Sequence, residues 1–62
     1  MTEEVPRVWS KWSHPRGEEV SVTGIANIHD SRYATTVIYI DSQHRLSAMK
    51  LSIWNKIMEE KL

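Results

Sequence analysis

The stretch "IHDSRYATTVIYIDSQHR", residues 28–45, holds an eight-residue run, Tyr33 to Ile40, rich in β-branched and aromatic side chains and bracketed by two Asp-Ser pairs. Such a run between polar turn formers reads as a β-strand. Alternation places Tyr33, Thr35, Val37 and Tyr39 on one face and Ala34, Thr36, Ile38 and Ile40 on the other. Both faces are largely apolar, which is the expectation for the central strand of a sheet.

The same stretch carries the vocabulary of nucleophilic catalysis twice: His29, Asp30 and Ser31 before the strand, and Asp41, Ser42 and His44 after it. A triad needs base and nucleophile within hydrogen-bond reach and an oxyanion hole beside them. No Gly-x-Ser-x-Gly elbow or glycine-rich amide nest is present. Asp30 and Asp41 lie eleven steps apart, roughly 36 Å along a fully extended strand. Asp-Ser pairs have a sufficient local role, since their side chains bond backbone amides two residues on and so build turns. The expectation is therefore two turns around a strand, with no catalytic residues; a hydrolase using His29 and Ser31 is the weakest reading.

Working toward the N-terminus, "EEVSVTGIANI", residues 18–28, alternates Val20 and Val22 with Ser21 and Thr23 before Gly24 interrupts the pattern. A glycine inside a strand pattern marks a bulge or bend. "HPRG", residues 14–17, reads as a turn, and Arg7 to Ser13 as a short strand with a local irregularity. Residues 1–6, "MTEEVP", lack periodicity and read as a flexible lead-in, leaving 7–62 as a single small domain.

Toward the C-terminus, residues 41–44 form a second turn, and "RLSAMKL" suggests a return strand with Leu46 and Ala48 facing the core. In the tail, Leu51, Trp54 and Met58 recur at i, i+3, i+7, and Ile53 and Ile57 at i, i+4: the stripe of an amphipathic helix. Ser47 or Ser52 offers a cap, and Glu59 and Glu60 sit at the unfavourable end of the helix dipole, where the last turn frays unless it packs. The fold class expected is mainly β (α+β): a three- to four-stranded, strongly bent antiparallel meander or a small partly open barrel, with one short C-terminal helix.

His14, Gly17, Val20, Val22 and Gly24-Ile25-Ala26-Asn27, then Thr36-Val37-Ile38-Tyr39, then Leu46, Ala48, Leu51 and Ile53-Trp54 follow a spacing similar to a short bacterial and phage family, domain of unknown function 1653. Residues 12–58 can be laid on its pattern. Val20 and Val22 stand for that family's Tyr and Val, while Met49-Lys50 replaces its Arg-Pro and Ser47 its Trp. The resemblance implies a small barrel-like β fold. That family has no established activity, so no chemistry is carried over.

A 62-residue chain buries only about 60% of the surface exposed on unfolding, so its core needs reinforcement. Without cysteine, neither disulfides nor a thiolate zinc site can supply it. Three tryptophans, large amphipathic surfaces of the kind found at interfaces, point instead to self-association, most simply a homodimer. Acidic and basic residues balance at eight each, so no net field argues for nucleic acid. No apolar run approaches the ~20 residues of a spanning helix, and the N-terminus is acidic where a signal peptide is basic; the expectation is a cytoplasmic protein with no membrane contact. His14, His29 and His44 fall at intervals of fifteen, too wide for a preorganised metal site, and neither a metal nor another cofactor is expected.

The functional expectation is a small non-enzymatic protein-binding module, an adaptor or inhibitor of the kind phages also carry, acting as a homo-oligomer. Its partner or oligomer interface is expected among Trp9, Trp12, Ile53, Trp54, Ile57 and Met58. The alternative is single-stranded nucleic-acid or nucleotide binding through residues 7–16, "RVWSKWSHPR", where Arg7, Lys11, Trp12, His14 and Arg16 interleave cations with aromatic faces.

Overall fold

The longest strand, β2 (Glu19–Ala26), is the centre of the sheet. Around it the chain lays β1 (Lys11–Ser13), β3 (Thr36–Ile40) and β4 (Leu46–Lys50) as an antiparallel meander, followed by helix α1 (Leu51–Ile57) and a two-residue strand β5 (Glu59–Glu60). The strand order is β4-β3-β2-β1-β5, and every pairing is antiparallel. The computed structural model describes residues 5–61, so the expected lead-in lies partly outside the described residues; Pro6, at its end, is buried.

The sheet does not close into a barrel, because β4 and β5 form its two edges. It must nevertheless bend. The seven-residue helix and the two extended steps through Met58 to Glu59 reach on the order of 17 Å, at about 1.5 Å per helical and 3.3 Å per extended residue. A flat five-stranded sheet is about 19 Å wide between its edge strands. The connection therefore spans the sheet only if the sheet curls beneath it.

Sequence alternation alone would put Ile25 on the opposite face from Val20 and Val22. The ladder corrects this with a bulge: Val22 pairs with Tyr39, Gly24 pairs with Ile38, and Thr23 is the extra residue between them. Its hydroxyl donates to the Ile38 carbonyl at 3.2 Å. Ile25 is thereby brought opposite Val37 and joins the face that packs under the helix. The core comprises Val20, Val22, Val37, Leu51, Trp54 and Met58, with Trp12, Ile25, Tyr39 and Met49 packed against it. Trp54 is fully buried between Trp12, edge-on at 5.3 Å, and Tyr39 at 5.4 Å.

Several local expectations are corrected. The strand of the opening stretch begins at Thr36; Tyr33 lies in the preceding turn and is exposed. It is second from an edge, and the central position belongs to β2. In β4 the phase is reversed: Met49, opposite buried Val37, packs on the core, whereas Leu46 and Ala48 are exposed on the far face. No serine caps the helix. Lys50 occupies the N-cap position without a side-chain bond, and the Leu51 amide donates to the Thr35 carbonyl at 2.9 Å, extending the β3–β4 ladder. Finally, Glu59 and Glu60 leave the helix altogether: Met58 turns extended, and the two glutamates pair with Ser13 and Trp12.

Candidate interaction surface

The two Asp-Ser pairs build turns. Asp30 Oδ1 accepts the Arg32 amide at 2.9 Å, and its carboxylate is gripped by the Arg32 guanidinium through two contacts of 3.1 Å. That hydrogen-bonded guanidinium, helped by the amide, holds the Asp30 carboxyl below the usual carboxylate range. Asp41 Oδ1 accepts the amides of Gln43 at 2.9 Å and Arg45 at 3.0 Å, closing the β3–β4 hairpin. The Arg45 amide is the largest cause of a lowered Asp41 pKa. The two clusters bracket β3 as separate turns, and neither carboxylate is hydrogen-bonded to a histidine. Among the described residues no three His, Asp or Glu side chains gather to hold a metal, so His14, His29 and His44 do not converge. No helix among the described residues is long and apolar enough to cross a membrane.

The tryptophans divide by environment. Trp54 and Met58, at 0% and 6% exposed, are buried in the core of the single chain. Trp12 is half-buried, its ring on Trp54 and its Nε1–H donating to Ser10 Oγ at 2.8 Å. Of the expected interface stripe on the helix, Ile53 and Ile57 are at the surface.

Trp9 is different. It is 71% exposed and stands at φ 69°, the left-handed region that a bulky L-residue rarely occupies. The conformation is fixed from both sides. The Trp9 amide donates to the Val22 carbonyl at 2.6 Å, and the Val22 amide donates to the Ser10 carbonyl at 3.0 Å, tying the turn to a fully buried residue of β2. Ser10 closes it, its amide and hydroxyl both donating to the Arg7 carbonyl at 3.1 and 2.6 Å, while its oxygen accepts the Trp12 indole. The core thus holds open a turn whose product is one outward-facing indole, flanked by exposed Val8. The sequence flags Trp9 by residue type, but nothing in it signals the positive φ.

The basic stretch does not form one track. Lys11 faces Glu19 at 4.0 Å, Trp12 turns inward, and Arg7 is exposed beside Trp9. His14 and Arg16 lie on the β1–β2 hairpin, where the Arg16 amide donates to His14 Nδ1 at 3.2 Å. These two residues line a polar cleft of about 310 Å³ with Glu18, Tyr39, Asp41 and Arg45, in which two cations face two carboxylates.

Comparison with family models, with curated proteins and with solved structures gives no match.

Proposed function

We propose that this chain is a small non-enzymatic protein-binding module, an adaptor or inhibitor, that works as a homo-oligomer and anchors its partner on Trp9. The observation that carries the reading is the Trp9 turn. A left-handed conformation at a bulky residue costs on the order of 1–3 kcal/mol, and the surrounding structure has to over-determine it. The backbone of the turn is tied to β2, but the indole itself takes no part in the core, because it is exposed. Strain of this kind clusters at functional sites, and tryptophan is among the residues enriched in the dominant contacts of protein interfaces. The resemblance to a family without known activity adds no substrate, so the reading rests on this surface.

The test exploits the strain. Trp9→Gly removes the indole and places at φ 69° the residue that tolerates it best, so the variant is expected to raise Tm while abolishing retention of the protein partner in affinity capture from the native host. Unchanged retention with Trp9→Gly refutes the anchor. Capture of nucleic acid alone, falling steeply between low and moderate salt, would instead favour the competing reading of single-stranded nucleic-acid or nucleotide binding through residues 7–16, with Arg7, Lys11, Trp12, His14 and Arg16.

A further inference from the structure

We infer that the homo-oligomer is a two-fold dimer formed by antiparallel pairing of β4 with β4 of a second copy; this rests on the self-association included in the proposed function and specifies its surface. The two edges of the sheet are unlike. β5 offers two residues, both glutamates. β4 offers five residues, with no proline or bulge, in continuous register with β3 from Thr36↔Lys50 to Ile40↔Leu46. Edge strands that stay unpaired are normally blunted by bulges, prolines or charges, above all lysine; β4 has no bulge or proline, and its single charge, Lys50, stands at its end.

The hydrogen-bond phase shows which groups are free. The Asp41 amide donates to the Arg45 carbonyl, and the Leu51 amide to the Thr35 carbonyl, so residues 45, 47, 49 and 51 direct their backbone groups toward β3. Leu46, Ala48 and Lys50 direct theirs away from the sheet. The Lys50 carbonyl is taken by the first turn of the helix, as at any N-cap. What remain outward are the amides of Leu46, Ala48 and Lys50 and the carbonyls of Leu46 and Ala48. Apart from the Leu46 amide, which faces solvent or shares the partner's Lys50 carbonyl with the helix, this set is self-complementary. With Ala48 on the two-fold axis, Ala48 of each copy donates to and accepts from the other, and each Lys50 amide meets the partner's Leu46 carbonyl.

The side chains agree with that register. Ala48, the smallest, faces itself across the axis. Leu46, 68% exposed in the single chain, lies opposite the aliphatic stem of Lys50, so no like charges are directly opposed. On the face away from the helix, Ile38 and Ile40 beside Leu46 and Ala48 make an apolar surface that continues from one copy into the next.

The experiment uses the full chain, which has no native cysteine. In the proposed register the two Ala48 Cα atoms lie about 5.5 Å apart, inside the roughly 4.4–6.8 Å range of disulfides. Ala48→Cys is therefore expected to convert to covalent dimer under mild oxidation at micromolar concentration, whereas Lys56→Cys, on the exposed side of the helix, forms no covalent dimer. Light scattering of the unmodified chain is expected to give twice the 7.3 kDa of one chain. Ala48→Pro deletes an amide that makes no bond within its own sheet, and Ala48→Lys sets two cations face to face; each is expected to weaken dimerisation at least tenfold with an unchanged circular dichroism spectrum. If Ala48→Pro unfolds, the lysine variant decides alone. A dimer indifferent to both substitutions, or an assembly larger than two, overturns the β4 pairing and leaves self-association standing. A monomer at high concentration overturns both.

Discussion

Trp54 is fully buried, yet its indole Nε1 has no hydrogen-bond partner among the described residues. Replacing it with phenylalanine should therefore be cheaper than burial alone suggests. Removal of the second ring leaves a cavity on the order of 40 Å³, which at about 24 cal/mol per Å³ costs about 1 kcal/mol. Lost transfer free energy for the deleted atoms adds about 1 kcal/mol more. Against this, the stranded N–H disappears, and a buried unsatisfied donor costs about 1–3 kcal/mol. The sum lies within about 1 kcal/mol of zero. Trp12→Phe deletes the same atoms from a half-buried site, but there the Nε1–H is bonded to Ser10 Oγ, so nothing is relieved and the loss is about 1–2 kcal/mol. The expected ranking inverts the ranking by burial: Trp54→Phe is the milder change. Urea unfolding followed by far-UV circular dichroism measures both without relying on the fluorophores being altered. A loss above about 2 kcal/mol for Trp54→Phe, or one exceeding that of Trp12→Phe, refutes the reasoning. Trp54→Ala, at about 3–5 kcal/mol, should consume most of the stability of a domain this size, on the order of 3–9 kcal/mol.

Two further outcomes follow from local geometry. Gly17 stands at φ 92° and Gly24 does not have a positive φ, while neither would place a Cβ within 4 Å of other atoms; Gly17→Ala should lower stability by about 1 kcal/mol and Gly24→Ala should leave it unchanged or raise it by up to about 1 kcal/mol, as thermal or urea unfolding reads directly. Asp41 has a carboxyl held below its ordinary pKa in the folded chain, so its contribution is present above the unfolded value near 4 and is lost as pH falls through the lower folded value. Asp41→Asn should accordingly destabilise the protein at pH 7 more than at pH 2–3, and equal losses at both pH values would contradict that assignment.

The meander was legible because its signals are local. The β-branched run, the Pro15–Gly17 turn, the Asp-anchored turns and the Leu51, Trp54, Met58 stripe each depend on near neighbours, and each is present. What the pattern missed depends on partners distant in sequence. The phase of β4 follows from its register with β3, which exposes Leu46 and Ala48 although they alternate like core residues. The bulge at Thr23 moves Ile25 across the sheet, and Gly24 announces a bulge without saying which residue is the extra one. Glu59 and Glu60 form a strand only because β1 has a free edge beside them. At the candidate surface, the residue types of Trp9, Trp12 and Trp54 were equally suggestive; three different environments separate them, and those are set by Val22, Ser10 and the core.

The shortness of α1 has a mechanical consequence. Sheet and helix stand to each other as bow and string: the string is shorter than the relaxed bow, so curvature is held under restraint and the concave side is fixed in shape. A partner that needed a flatter sheet would have to lengthen the string, and its far end is the clasp where Glu59 and Glu60 pair with β1 and the Lys61 amide donates to the Lys11 carbonyl. Releasing that clasp would free the β1 edge, uncover Trp12 and Trp54 together and let the sheet open. The short strand β5 is thus the catch that keeps the aromatic core shut.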